Sequence, residues 1–196
     1  LASNLKSKYY SFHAGFLLDP NVSELGKKIK KKSLYDRNES KLVFIKRVNQ
    51  LATFAKEKSI TLLIENNVLS SNNLNEFGGN ILLMVDDLEC EEIMNKVSSN
   101  VKMLVDVAHL KVSANSLNFN KVSFLSRLEK WIFGYHLSDN DGKKDSNRKI
   151  RIDSWFWPYI KKNLDYYSIE VYGLKAEELL KQKDLAYEMI YNKKSI

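Results

Sequence analysis

The sequence has few of the residues that mark disulfide-rich proteins or flexible chains of several domains. Among its 196 residues are one cysteine, seven glycines and two prolines. The single cysteine, Cys90, excludes an internal disulfide and a cysteine-built zinc site, and it favours a reducing, cytoplasmic setting. So few glycines and prolines leave little material for a long linker. We therefore expect one domain over residues 1–196.

Also missing are an apolar run long enough to span a membrane and an N-terminal signal-peptide pattern, so we expect no membrane partner. The content of 44% hydrophobic and 28% charged residues is typical of a globular protein. The net charge of +7 favours anionic partners such as nucleic acid or phosphorylated metabolites, although lysines on solvated helix faces explain it more simply. We interpret the lysine run at 27–32 as an exposed loop.

Short apolar runs rich in β-branched or aromatic residues recur along the chain. There are five of them: Tyr9–Phe12, Ile60–Ile64, Val101–Val105, Trp131–Tyr135 and Tyr166–Ile169. Runs of this length and composition are typical of strands buried on both faces, as a parallel sheet requires.

Helical patterns separate these runs, at residues 43–55, 88–97, 122–128, 153–163 and 176–190. Ser40 is a candidate N-cap for the first helix, and Asp153 is one for the fourth. Asp86 with Glu89 resembles an acidic capping box ahead of the second helix. The alternation of strand and helix predicts an α/β fold with a parallel sheet.

A side chain able to bind a metal or move a proton follows every apolar run: His13, Glu65, Asp106, His136 and Glu170. In a parallel barrel the C-terminal ends of all strands lie on one face, so we expect these groups to converge. The third histidine of the chain, His109, follows Asp106 by three residues. A lone histidine here is more often structural, and a lone carboxylate is as often an N-cap or a salt-bridge partner, but five coincidences favour a shared metal site.

Five segments carry a resemblance to a known family: SFHAGF (11–16), LLIENN (62–67), LVDVAHLK (104–111), GYHLSDNDGKKDSN (134–147) and SIEVYG (168–173). In this order they resemble the xylose isomerase-like TIM barrel superfamily, which includes sugar and sugar-phosphate isomerases and epimerases and endonuclease IV-like enzymes. The resemblance implies a (β/α)8 TIM barrel that lacks its first two β/α units in this chain.

The resemblance also implies a ligand set for one divalent metal ion, made of Glu65, Asp106, His136 and Glu170. His13 matches a histidine after the third barrel strand, and His109 matches the histidine of an Asp-x-x-His motif. Three carboxylates and one imidazole suit Mn²⁺, Mg²⁺ or Co²⁺, and Zn²⁺ remains open because a histidine is present.

The start of the chain suggests that part of the barrel is absent. The sequence begins with Leu1, and the resemblance begins near the third barrel strand. On a scale of ~30 residues per βαβ unit, we expect roughly 60–80 further N-terminal residues in the full gene product. A barrel without them would expose two sheet edges. An intact mass equal to that of this chain, measured on protein from its native source, would contradict this expectation.

The function that the resemblance implies is that of a metal-dependent isomerase or epimerase of a sugar or sugar phosphate. The metal would polarise a carbonyl and stabilise an enediolate, and Glu65 and Glu170 would remove and return the proton. His109 is a further catalytic candidate that could hydrogen-bond a substrate hydroxyl or orient Asp106. A purely structural role for His109 is equally open.

Three residues are candidates for substrate binding: His13, Asn66 and Arg148. His13 could contact substrate or support Glu65, and Asn66 could bind a sugar hydroxyl or shape the turn after its strand. Arg148 lies in a basic loop at 143–151 that could bind a substrate phosphate, although solvated loop charge explains it more simply.

The main alternative is an endonuclease IV-like enzyme acting on abasic DNA. Enzymes of that type use three metal ions, and one of their motifs, Asp-x-His, reads Asp145-Ser146-Asn147 in this chain. Asparagine is a poor metal ligand, so nucleic acid is the less favoured partner. A degenerate barrel without catalytic activity is a third hypothesis, and assembly into a homo-oligomer stays open.

Overall fold

The computed structural model describes residues 2–24 and 29–191, and its centre is one parallel sheet of five strands. These are β1 (Tyr9–His13), β2 (Thr61–Glu65), β3 (Val101–Asp106), β4 (Ile132–Leu137) and β5 (Tyr166–Ile169). The strands lie side by side in chain order, and every neighbouring pair is parallel. The predicted α/β fold and partial TIM barrel are therefore confirmed.

The connections between the strands carry the helices. In the described residues these are α1 (Arg37–Glu57), α2 (Ser71–Phe77), α3 (Asp87–Met94), α4 (Val107–Leu117), α5 (Lys121–Leu128) and α6 (Ala176–Tyr191). Two short 3₁₀ segments lie at Val22–Glu24 and Glu129–Trp131. None of the described helices combines the length and the apolar character that a membrane crossing requires.

The sheet curls into a half-barrel. Its first and last strands are not neighbours, yet the Tyr9 hydroxyl donates a hydrogen bond to Oδ2 of Asp165 at 3.2 Å. The rings of Tyr9 and Tyr166 also lie 6.1 Å apart between centroids. Residues at the two ends of a flat sheet could not meet in this way. The concave side of the sheet therefore brings the ends of β1 and β5 towards each other.

The outer strands are less buried than the sequence predicts. β2 and β3 are almost fully buried, as strands covered on both faces should be. β1 and β5 are only partly buried, and Tyr10 is 55% exposed. The prediction of burial on both faces is wrong for these two strands, because in the described residues each pairs with a neighbour on one side only.

Two hydrophobic clusters hold the fold together. The larger one lies between the sheet and its helices and includes Ile64, Met103, Phe124 and Tyr135. The smaller one, which we call the small cluster, consists of Leu18, Ile29, Leu69, Ile81, Leu82 and Val85. Leu74 and Phe77 of α2 pack against the small cluster, so α2 has its own apolar support.

Local capping explains where two of the helices begin. Asp36 caps α1 by accepting a hydrogen bond from the N–H of Glu39 at 2.9 Å. The predicted cap Ser40 is wrong, because its own N–H bonds to the carbonyl of Asp36 inside the first turn. Asp86 caps α3 as predicted, through the N–H of Glu89 at 3.0 Å.

The predicted helix at 153–163 does not form, and turns replace it. Pro158 has no backbone N–H and so cannot form the hydrogen bond that a helix would need there. Within the turns, the Trp157 indole donates a hydrogen bond to the carbonyl of Arg151 at 2.6 Å. The segment still buries Phe156 and Trp157 in the core. In the predicted lysine loop, residues 30–32 lie outside any helix or strand, while Lys27 and Lys28 lie outside the described residues.

Candidate metal centre

The candidate ligands lie at the C-terminal ends of the strands. His13, Glu65 and Asp106 are the last residues of β1, β2 and β3, His136 is the second-last residue of β4, and Glu170 follows β5. One ligand atom from each of Glu65, Asp106, His136 and Glu170 lies within 4.8 Å of all the others. The described residues therefore contain a four-membered group able to hold a metal ion.

His136 occupies the middle of this group. Its Nδ1 lies 3.2 Å from Oε1 of Glu65, 2.9 Å from Oε2 of Glu170 and 3.9 Å from Oδ2 of Asp106. Burial lowers the pKa of His136, but the Glu170 and Glu65 carboxylates outweigh burial and raise it to about 11. The Glu170 and Glu65 carboxylates thus hold a proton on this imidazole where a metal ion would supply the positive charge.

The two carboxylate oxygens of Asp106 have different surroundings. Oδ1 accepts hydrogen bonds from the N–H groups of Ala108 at 2.8 Å and His109 at 2.7 Å, and it caps α4 in this way. Oδ2 is buried and has no hydrogen-bond partner. Burial raises the pKa of Asp106 to about 6, although nearby His109 opposes that shift.

The two carboxylate oxygens of Glu170 also differ in their surroundings. Oε1 accepts a hydrogen bond from the Tyr172 hydroxyl at 2.9 Å. Oε2 is buried and has no hydrogen-bond partner, and it lies 2.9 Å from Nδ1 of His136 as one half of an ion pair. His136 first, and Tyr172 after it, lower the pKa of Glu170 to about 2 despite partial burial.

Two buried carboxylate oxygens without hydrogen bonds indicate whether a metal ion fits this group. Buried polar atoms are nearly always hydrogen-bonded, yet Asp106 Oδ2 and Glu170 Oε2 are not, and both lie within 4 Å of His136 Nδ1. Oxygen ligands with one imidazole are a donor set suited to a divalent ion. The residues present therefore fit the metal that the sequence predicts.

His109 lies beside this group with both ring nitrogens engaged. Nδ1 is 3.0 Å from the Asn66 carbonyl oxygen, and Nε2 is 3.2 Å from Oδ2 of Asp145. Burial lowers the pKa of His109, but Asp106, Asp145 and Glu65 raise it to about 10. This arrangement leaves no ring nitrogen free for a substrate hydroxyl, so it favours the structural or orienting role.

His13 is the exposed neighbour of the group. Its side chain is 59% exposed, and Nε2 lies 3.9 Å from Oε2 of Glu65. His13, Glu65 and His109 form a second set whose ligand atoms lie within 4.8 Å of one another. His13 is therefore placed both to meet a substrate and to support Glu65.

Asn66 and Arg148, the other two predicted substrate-binding residues, both bond to other parts of the chain. Asn66 is fully buried, and its amide bonds to the backbone N–H of Asp106 at 2.8 Å and to its carbonyl at 3.2 Å. These bonds connect the end of β2 to the end of β3, as expected if Asn66 shapes the turn after its strand. Arg148 is 58% exposed and pairs with Asp141 at 2.9 Å. Of the basic loop at 143–151, Lys144 and not Arg148 lines the neighbouring cavity.

A cavity of about 1060 Å³ opens beside the metal group. His13, His109, Asp145 and Glu170 line it on the metal side. Tyr172 lines it too and donates a hydrogen bond to Glu170. Its place two residues after that glutamate is the one sequence signal that could have pointed to it. Four side chains of α2 also line the cavity, and no strand-end pattern could have predicted them.

The comparisons with known proteins agree with this architecture. The sequence profile of the xylose isomerase-like TIM barrel family matches residues 1–166. Parallel strands whose C-terminal ends lie on one face are what that fold requires. The chain belongs to the xylose isomerase-like TIM barrel family. No curated protein sequence matches it significantly.

Several solved structures share the fold at low sequence identity. A D-tagatose 3-epimerase-like protein is 19% identical with a TM-score of 0.70, covering 96% of this chain and 64% of its own. The IOLI protein with a bound zinc atom is 19% identical with a TM-score of 0.63, covering 100% of this chain and 67% of its own. An AP endonuclease of family 2 from Brucella melitensis is 14% identical with a TM-score of 0.57, covering 97% and 63%. This chain thus spans about 64% of the length of the first of them.

Proposed function

We propose that the protein is a divalent-metal-dependent isomerase or epimerase of a sugar or sugar phosphate. The observation that carries the proposal is the pair of glutamates on His136, with Glu65 Oε1 at 3.2 Å and Glu170 Oε2 at 2.9 Å from the same nitrogen. The pair comes from β2 and from the end of β5, with β3 and β4 between them. Similarity to a D-tagatose 3-epimerase-like protein supports this reading.

Glu65, Asp106, His136 and Glu170 would hold the metal, for which Mn²⁺, Mg²⁺, Co²⁺ and Zn²⁺ are the candidates. A divalent ion held there would polarise a substrate carbonyl and its neighbouring hydroxyl, which acidifies the adjacent C–H. The similar fold of a protein solved with a bound zinc atom supports metal binding by this chain.

The two glutamates would then move the proton. His136 lowers the pKa of Glu170, so this glutamate is an anion at neutral pH. It would be a weak base, able to take a proton from carbon only because a metal ion would acidify the C–H. Glu65 comes from another strand and would return a proton to the planar carbon from a second direction. Tyr172 holds Oε1 of Glu170 and so fixes which way the carboxylate faces.

Exchange of solvent deuterium into a sugar tests this assignment. In D₂O with a panel of ketoses and hydroxy-aldehydes, the protein should incorporate deuterium at the carbon next to the carbonyl. Glu65→Gln and Glu170→Gln should each abolish incorporation, because an amide neither takes nor returns the proton at neutral pH. Mass spectrometry of the recovered sugar measures the result.

The matched control is Glu188→Gln, an exposed glutamate on α6. It makes the same chemical change away from the cavity and should leave exchange unaltered. Retained exchange in both site variants would refute the two-glutamate mechanism, and loss of exchange in the control would show that the assay reports something other than this site.

A second candidate function is cleavage of abasic DNA, and one observation favours it. His13, Glu65 and His109 form a further group able to hold a metal, as a nuclease with several metal ions would need. The family 2 AP endonuclease of similar fold supports the same reading. Against it, His109 is already bonded to Asp145, and Asn147 stands where the nuclease motif has a histidine.

A nicking assay on an abasic-site oligonucleotide separates the two functions. The isomerase proposal expects no metal-dependent nicking and expects deuterium exchange with a sugar. Nicking that needs metal, disappears in His13→Ala and occurs without sugar exchange would reverse the choice.

A further inference from the structure

The short segment at 145–147 touches both sides of the metal group. Oδ2 of Asp145 lies 3.2 Å from Nε2 of His109, which belongs to the helix after β3. The carbonyl of Asn147 accepts a hydrogen bond from the N–H of Tyr172 at 3.0 Å, just beyond β5. Three consecutive residues therefore contact the neighbours of two different strand-end ligands.

Asn147 is buried in a backbone conformation that few side chains adopt. Its φ of 41° lies in the left-handed region, and it is only 4% exposed. Asparagine enters this region more readily than most residues, but glycine does so without steric cost. Glycine would also avoid burying Oδ1 of Asn147, which has no hydrogen-bond partner among the described residues. The backbone alone therefore does not explain why an asparagine occupies this position.

The side-chain amide of Asn147 has a partner in the hydroxyl of Tyr172. The hydrogen bond to Glu170 raises the pKa of Tyr172 most, and a side-chain hydrogen bond with Asn147 acts in the opposite direction. A group that lowers the pKa of a phenol is a donor, because it stabilises the phenolate. With the amide N–H as donor, the hydroxyl oxygen is the acceptor, and the hydroxyl proton is directed to Glu170.

The direction of this proton decides which oxygen of Glu170 stays open. The Tyr172 hydroxyl donates to Oε1 at 2.9 Å, whereas Oε2 is buried without a hydrogen-bond partner in the part of the chain that the structure describes. Tyr172 is 67% exposed, so packing does not hold its hydroxyl in place. A hydroxyl has one proton to donate, and if it turned away, Glu170 would lose the bond that orients it. The amide of Asn147 prevents that turn.

We propose that Asn147 is a positioning residue that acts through Tyr172 on Glu170, so that Glu170 binds the metal through Oε2 alone. The inference rests on the metal site of the proposed function. In the nuclease motif a histidine ligand stands at this position. Here the carbonyl and the amide of Asn147 are both used to hold Tyr172, and the position supports the neighbouring ligand rather than a further metal ion.

Titration with Co²⁺ tests the proposal, because the visible spectrum of this ion reports the number and arrangement of its ligands. Tyr172→Phe removes only the hydroxyl from an exposed ring. Loss of a hydrogen-bond partner of a metal ligand typically costs about 10–100-fold in affinity, so Co²⁺ should bind about tenfold or more weakly. With Oε1 released, Glu170 can add its second oxygen to the ion, so the visible bands should shift and weaken.

Asn147→Gly locates the origin of the effect. It keeps the left-handed conformation and the backbone carbonyl, and it removes the amide. The variant should shift the spectrum in the same direction and weaken Co²⁺ binding by no more than Tyr172→Phe does. The double variant should bind Co²⁺ as Tyr172→Phe does, because the hydroxyl through which Asn147 acts is already absent. Two independent residues would instead multiply their effects.

Asn118→Gly and Tyr159→Phe are the matched controls. Asn118 is an exposed asparagine with φ of 55° at the end of α4, and Tyr159 is an exposed tyrosine outside the cavity lining. Neither substitution should change the Co²⁺ affinity or the spectrum. Thermal melting of each metal-free variant separates a loss of positioning from a loss of folded protein.

Three results would overturn the inference. The first two are a Co²⁺ affinity and spectrum that stay unchanged in Tyr172→Phe, or in Asn147→Gly. The third is a double variant whose loss of affinity equals the product of the two single losses. Each of these refutes the positioning role even where deuterium exchange with a sugar supports the proposed function. The expected coupling, without exchange in any sugar, would refute the proposed function and keep the positioning role.

Discussion

Asp106 links the fold to the proposed chemistry within a single carboxylate. Oδ1 starts α4 by capping two N–H groups, while Oδ2 is buried without a partner beside His136. An N-cap and a metal ligand were competing explanations for a strand-end aspartate, and here one side chain is placed for both. The capping oxygen fixes the orientation in which the other oxygen faces the cluster.

Asp106→Asn should separate the two roles. The amide oxygen can keep the cap, and removal of a buried carboxylate should leave the melting temperature of the metal-free protein unchanged or higher. Stoichiometric metal binding should be lost, because an amide is a poor ligand for the ion. Thermal melting followed by circular dichroism, with elemental analysis of the same samples, measures both. A variant that unfolds, or one that keeps full metal content, would contradict the assignment.

The protonation of His136 predicts how metal binding depends on pH. A histidine ligand must be neutral, yet the carboxylates raise the pKa of His136 to about 11. Metal binding should therefore release a proton, and the apparent affinity should rise with pH by up to about tenfold per unit between pH 6 and 9. Calorimetry in two buffers of different ionisation heat counts the proton. Affinity that is constant over this range would contradict the placement of His136.

The raised pKa of His136 also affects the stability of the metal-free protein. The pKa of His136 is raised from 6.5 in the unfolded chain, so its contribution to stability is complete below about pH 6.5 and is lost as pH rises through about 11. After chelation, the protein should therefore lose stability towards alkaline pH. Metal-loaded protein should not, since the ion replaces the proton. Urea unfolding at pH 7 and pH 10, with and without chelator, checks this difference.

At the scale of elements, β4 and β5 approach closely at one glycine. A Cβ at Gly134 would lie 2.5 Å from Cδ1 of Tyr166 and 3.1 Å from its carbonyl oxygen. Tyr166 begins the strand that leads to Glu170. The position of this glutamate thus depends on a glycine two residues before His136.

Gly134→Ala should displace β5, with a cost of about 1–3 kcal/mol in the free energy of unfolding and a weaker affinity for the metal. Gly79→Ala is the control, because a Cβ there meets nothing within 4 Å. Urea unfolding and metal titration on both variants measure the effects. Equal stability and affinity in the two variants would show that β5 tolerates the added methyl group.

Elements with strong local signals could be predicted from the sequence, and the rest depended on tertiary contacts. Five apolar runs predicted five strands, and Asp86 predicted the start of α3. α4 showed no amphipathic stripe because most of it is buried, including the polar residues His109 and Ser113. The turns at 153–163 depend on Pro158 and on bonds such as the one from Trp157 to Arg151.

The site was predictable to the extent that it lies at strand ends. The ends of parallel strands must meet, so the five strand-end residues, His13 among them, could be grouped without coordinates. The resemblance then selected Glu65, Asp106, His136 and Glu170 as the ligands. Whether Asn66 contacts substrate or the chain itself depends on the backbone of Asp106, forty residues away, which no local pattern reveals. The lining by α2 is a long-range feature of the same kind.

At the scale of the whole molecule, the site is an acidic cluster inside a basic protein. The chain carries a net charge of +7, yet three carboxylates converge on one imidazole at the edge of the sheet. Such a concentration of buried negative charge needs compensation, which two protonated histidines or a cation can supply. The half-barrel makes this possible because its curvature points the strand ends towards one another.

The most direct test of the central claim is the metal content and coordination of the purified protein. Elemental analysis combined with X-ray absorption spectroscopy of the bound ion reports its identity, number and ligands. The account predicts one divalent ion per chain, bound by oxygen ligands and one imidazole nitrogen, and lost when Glu65, Asp106, His136 or Glu170 is replaced. Protein without stoichiometric metal, or an ion that remains bound after these substitutions, would contradict it.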